Sequence, residues 1–208
     1  MCKTIINDRL KDLSWEKPNK NNELGDQHAP TKMSRKSFLR LSVGVAAAAG
    51  LGSLTGCSNN GRALRFDSLN DALIELALIE NNLDTLEMQQ EWTLYKVLNH
   101  LAKTCEGAMF GFPETDPPAV QAVQYIGFQA FKAQGYMSHD LTAPVPGPEI
   151  ADDGPLPEAF TRIRNAISDF QNFTGETFPH FAYGNLTYAE WELANAFHMA
   201  DHFSSLTY

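Results

Sequence analysis

Cysteine is scarce in this chain: three among 208 residues, at positions 2, 57 and 105. So few thiols exclude a disulfide framework as the source of stability. The phosphate-cradling P-loop and the dinucleotide-binding glycine fingerprint are both missing, and no helicase signature appears. No Ser-His-Asp or Cys-His arrangement is visible by spacing, which argues against a nucleophilic mechanism. Alternating apolar and polar residues, the mark of a half-buried strand, do not recur anywhere convincingly. Positive charge is thin where it would matter. Residues 57–208 carry seven Lys/Arg against twenty Asp/Glu, a balance of −13, whereas residues 1–56 carry nine against five. A body this acidic excludes a nucleic-acid partner, which needs a basic face.

What is present begins with a leader. Residues 1–32 are polar and turn-rich and are expected to form a disordered extension. Residues 33–56 read as a signal peptide: the basic segment Ser34-Arg-Lys-Ser-Phe-Leu-Arg40 precedes an uncharged run over 41–54. That run is too short for a stable membrane span but fits the apolar core of an export signal. It ends in Leu54-Thr55-Gly56-Cys57, which resembles a lipobox and implies lipidation on Cys57 and a membrane anchor at the bacterial cell envelope, on the periplasmic side. Residues 34–39 also resemble a twin-arginine export signal, with Lys36 where the second arginine should stand, so the general secretory and twin-arginine routes both stay open. Met1 and Met33 both stand as starts. Residues 57–63 then form a tether, and residues 64–208 a helical domain.

Within that domain the apolar spacing predicts helices. Ser68 caps the first, through about Ile79, with Leu69, Leu73, Ile74, Leu76 and Leu78 mostly inward. Thr93 caps the second, where Leu94, Val97, Leu98, Leu101, Ala102, Cys105 and Met109 form the stripe. Cys105 in that stripe reads as a small buried apolar residue. Residues 120–133 make an aromatic-rich third helix interrupted by Gly127 and stopped at Gly135. The segment 137–157 holds five prolines and is expected to be an ordered crossover loop. Residues 157–173 place Phe160, Ile163, Ile167 and Phe170 on one face of a fourth helix. Thr187 with Glu190 is a capping box that opens the last helix, through Leu206, with no Gly or Pro inside it. The class is all-α, an up-down four-helix bundle with a short extra helix or a long crossover loop.

The last helix carries His198 and His202. Residues four apart stack on one helix face about 6 Å apart along the axis, so the two imidazoles can share one metal ion. They can equally sit near the helix end as partners for free carbonyls. His100, in the middle of the second helix, gains nothing from the helix dipole, so it is exposed, hydrogen-bonded in the core, or a ligand, and it is the candidate third nitrogen. His139 in the crossover loop is a candidate for a further contact, or an exposed loop histidine. His180, in the turn before Thr187, either approaches the site or packs at the turn. Asn195 and Asp201, three residues to either side of His198, are candidates to orient an imidazole. Glu192 points well away.

Taken together, Leu98-Asn99-His100-Leu101-Ala102, Gly111-Phe112-Pro113, Met137-Ser138-His139, Pro179-His180-Phe181-Ala182-Tyr183-Gly184 and Leu186-Thr187 resemble one family in order and spacing. This is the DinB/YfiT-like superfamily of four-helix-bundle metalloproteins, and within it the branch catalogued as domain of unknown function 1569. The resemblance covers about Leu64 to Leu206. It implies a divalent metal, zinc or nickel, bound by His100, His198 and His202, with a position left for water or ligand. The superfamily's thiol-dependent transferases do not fix a reaction for this branch. Three functions follow from these expectations: metal-dependent chemistry on a small molecule, non-catalytic binding of a metal or small ligand, and an envelope scaffold. A homodimer is the protein association to expect.

Overall fold

A computed structural model describes residues 62–208. The expected disordered extension, signal peptide and lipidated Cys57 lie outside the described residues. Five helices and one short strand pair make up the body: α1 (Leu69–Asn81), β1 (Glu87–Met88), α2 (Leu94–Phe110), α3 (Pro118–Gln134), α4 (Leu156–Gln171), α5 (Tyr188–Ser204) and β2 (Leu206–Thr207). The protein is therefore mostly helical. None of the described helices is long and apolar enough to cross a membrane.

Local chemistry sets the helix ends. At α2 the Thr93 hydroxyl accepts from Lys96 N, satisfying one of the free amides of the first turn. At α5 the capping box closes in both directions, Glu190 N donating to Thr187 Oγ1 at 3.2 Å and Thr187 N to Glu190 Oε2 at 3.1 Å. Gly135 ends α3 in the left-handed region, φ +79°, its N–H returning to Phe131 O.

The core lies between α1, α2, α4 and α5. Helix α2 packs most extensively along α4 and also against α5, while α1 packs against α5 and α4. On α4 the face Phe160, Ile163, Ile167, Phe170 is buried as its spacing predicts. On α1 the inward stripe differs from expectation. Leu69, Ala72, Leu76 and Ile79 are buried, whereas Ile74 and Leu78 are exposed. The helix is rich in apolar residues around most of its circumference, so composition could not choose the face; the three- and four-residue spacing of the buried set does. Glu75 is buried beside that stripe because Arg62 pairs with it and Tyr208 Oη donates to it at 3.0 Å. Arg62 also donates to Leu206 O, so one guanidinium ties the start of the described chain to its end.

Helix α3 runs through Gly127 without the expected interruption, since an exposed glycine lowers helix propensity by only about 1 kcal/mol. Only Phe128 of α3 is buried, stacked on Tyr183 with ring centroids 5.0 Å apart. Tyr125, Gln129 and Lys132 all donate to Glu190 Oε1, fastening α3 to the first turn of α5. Lys132 above all holds the Glu190 carboxyl down at about 2.

The strand pair was not expected. β1 and β2 pair antiparallel, Glu87 opposite Thr207 and Met88 opposite Leu206, and Gln89 N adds a bond to Ser205 O at 2.7 Å. Two residues per strand carry no period to detect. The consequence is positional: the ladder lays Gln90 and Trp92 beside the last turn of α5.

Candidate metal centre

Helix α2 contributes His100 and α5 contributes His198 and His202. The three rings form a near-equilateral triangle, with centroids 4.9 Å apart for His100 and His198, 5.0 Å for His100 and His202, and 4.9 Å for His198 and His202. One ring nitrogen from each lies within 4.8 Å of those of the other two. His100 Nε2 and His198 Nε2 are 3.0 Å apart. Bonds of 2.0–2.1 Å in a tetrahedral sphere place two ligand nitrogens about 3.4 Å from each other, so this pair needs little movement to share an ion.

Protonation and tautomers favour the same use. His202 Nδ1 faces Gln90 Oε1 at 3.3 Å, which assigns the ring proton to Nδ1 and leaves a lone pair on Nε2. That Nε2 is buried with no partner among the described residues, as is Nδ1 of His100. Burial, more than any neighbour, lowers the affinity of His100 for a proton to about 3, with His139, Lys103 and Lys96 adding repulsion. His198 and His202 are lowered well below the ordinary histidine value, again by burial first and then by the other rings. Neutral imidazoles are what a divalent ion requires. Three imidazole nitrogens without a thiolate form a donor set close enough to hold one metal ion. Cys105 is fully buried, and burial pushes its thiol far up, so it is neither ligand nor nucleophile.

The remaining candidates fall around this triangle. His139 puts its ring 4.8 Å from His198 and 5.2 Å from His202. Asp201 hydrogen-bonds neither His198 nor His202 among the described residues; its Oδ2 accepts from His139 Nδ1 at 2.6 Å and from His139 N at 2.9 Å. Asn195 is buried and lines a small cavity with His139, His180 and His198. His180 packs at its turn, Nδ1 accepting from Ala182 N and Tyr183 N, with its ring stacked on Phe181 and Tyr183. Gly184 closes that turn at φ +72°, a conformation that favours glycine.

Two residues beside the rings are not among the sequence candidates for the site. Gln90 sits in a segment with no period, and only the β1–β2 pairing brings it to His202. Trp92 walls the site, edge-on to His100 at 5.0 Å and stacked on His202 at 6.2 Å. Beyond them the proline-rich crossover roofs His100. Lys103 Nζ donates to Val145 O and Pro148 O, Lys96 pairs with Asp152, and Thr93 Oγ1 donates to Asp152 O. Under this roof lies a cleft of about 350 Å³ lined by Trp92, Lys96, His100 and Lys103.

Residues 58–208 match the family described as Protein of unknown function (DUF1569). The chain belongs to that family. No curated protein and no solved structure matches it. For this DUF1569 chain the histidine triangle is thus the feature that carries a functional reading.

His180 supplies a pH dependence separable from metal. Burial lowers its proton affinity from 6.5 to about 3. Between those values the unfolded chain binds a proton that the folded chain refuses, so stability is intact above about pH 6.5 and falls as pH drops toward about 3. The loss from this one ring is on the order of 5 kcal/mol. The triangle histidines, lowered in the same direction, add to the slope of the metal-free chain. The difference in denaturant unfolding at stepped pH between wild type and His180→Asn, whose amide oxygen can take over the two backbone bonds, therefore measures the His180 share, and the variant's slope is expected to be the flatter.

Proposed function

We propose that this protein is an exported, lipid-anchored member of the DinB-like superfamily. In this reading His100, His198 and His202 hold one divalent ion, zinc or nickel, with a position open to a small molecule. The observation that carries it is the triangle of neutral rings from two helices, with His100 Nε2 and His198 Nε2 3.0 Å apart and an unpartnered buried Nε2 on His202. The pairwise packing of α1, α2, α4 and α5 supports a four-helix bundle with α3 as an added helix, and bundles build their metal sites from facing helices. Bound there, the ion would act as a Lewis acid and lower the proton affinity of a water or thiol on it. The chain's own residues do the rest: Gln90 fixes the His202 tautomer, Trp92 and the crossover shield the rings from bulk water, and the cleft beside His100 admits the ligand. The lipobox-like Leu54-Thr55-Gly56-Cys57 supports the anchor.

Elemental analysis of the full chain, purified without chelator after expression with zinc and nickel, tests the reading. Uptake close to one ion per chain supports it and names the metal. A metal-free chain points instead to a scaffold in which the histidines only pack.

A further inference from the structure

Two buried polar atoms beside the histidine triangle lack partners among the described residues: Nε2 of His139 and Nδ2 of Asn195. Both residues, with His198, Thr104 and His180, line one cavity of about 90 Å³. Leaving such groups unpaired is costly, and native structures rarely do so without a water or ligand to meet them. A polar cavity of this size accommodates several waters or a ligand of a few heavy atoms.

The two atoms are chemically complementary. Asn195 Nδ2 can only donate. His139 is held by Asp201, whose Oδ2 accepts from its Nδ1 at 2.6 Å and its backbone N at 2.9 Å. In the neutral ring, with the proton on Nδ1 facing Asp201, Nε2 accepts. His139 stands next to His198 and His202 but is not in the set of three whose nitrogens converge.

We infer that this cavity is the subsite for the reacting end of the ligand, and that it selects a small protic group: an oxygen that accepts from Asn195, adjoining an O–H, N–H or S–H that donates to His139. Asp201 is a positioning residue that fixes the tautomer. The inference rests on the metal reading above, since the same group would lie against the ion. Hydroxamic acids and small carboxylic amides have this donor–acceptor pair; simple carboxylates have only the acceptor.

The test uses the full chain loaded with cobalt(II), whose visible spectrum reports ligands on the ion, and two probes, acetohydroxamic acid and acetate. His139→Phe keeps a ring but removes the acceptor, and is expected to weaken acetohydroxamic acid about tenfold or more while changing acetate less than about threefold. Asn195→Leu is expected to weaken both. Metal affinity, measured by chelator competition, stays within about threefold in each variant. Unchanged acetohydroxamic acid binding in His139→Phe, with metal retained, overturns the subsite and leaves the metal reading standing. A parallel loss of metal and probe in His139→Phe makes His139 a fourth ligand and also overturns it. Wild-type chain that takes up no cobalt overturns the metal reading, and the subsite with it.

Discussion

Replacing His198 with alanine is expected to weaken zinc binding about a thousandfold while leaving the fold in place. Zinc bound wholly by protein side chains is worth roughly 10–16 kcal/mol, so one ligand among three or four carries about 4 kcal/mol, near three decades in affinity. The stability cost should be small by comparison. His198 is only partly buried, and its ring nitrogen meets another histidine rather than a backbone group. Chelator competition with circular dichroism separates the two effects. A thousandfold loss with an unchanged unfolding midpoint is the expected pattern; intact affinity would remove His198 from the site.

Trp191→Ala should produce the largest change in stability, about 3–5 kcal/mol, read as a fall in the denaturant midpoint at constant slope. Trp191 is fully buried, donates from Nε1 to Phe178 O at 3.0 Å, and stacks on Phe112 with His180 4.8 Å away. Truncation leaves a cavity and an unpaired carbonyl together. Trp191→Phe fills most of the space and loses only the hydrogen bond, so it should cost about 1–2 kcal/mol. The same side chain supports the turn around His180 that walls the small cavity. Metal binding should therefore weaken in Trp191→Ala far less than in His198→Ala.

How much of this was legible in the sequence depended on whether the deciding interaction was local. Helix α5 was, because the Thr187 and Glu190 cap spans three residues and no breaker follows. The His198 and His202 pair was legible for the same reason, being four residues apart on one helix. The buried face of α4 followed from spacing alone. What could not be read lay in long-range pairing. Asp201 was a candidate to orient an imidazole, but which one was set by the loop that carries His139, 62 residues away in the chain. Gln90 reaches His202 only because two residues at either end of the body pair as strands. On α1, apolar residues around most of the helix left the inward face to be decided by what packs against it, so Ile74 and Leu78 were misplaced. Gly127 reads as an interruption in the sequence, yet one exposed glycine is too weak to break a helix of 17 residues.

The triangle itself needed both kinds of information. Spacing supplied two of its corners, and the third, His100, was a mid-helix histidine whose role depended on how α2 packs on α5. In the structure that packing brings its ring to 4.9 and 5.0 Å from the other two. Burial then removes the protons that would compete with an ion.

The most direct measurement is metal per chain in the full-length wild type beside the variant with His100, His198 and His202 all changed to alanine, both expressed with zinc and nickel and freed of loose ions by gel filtration. A shared site predicts about one equivalent in the wild type and less than about a tenth in the triple variant, with the variant still helical. Equal metal content in the two chains, or none in either, would contradict it.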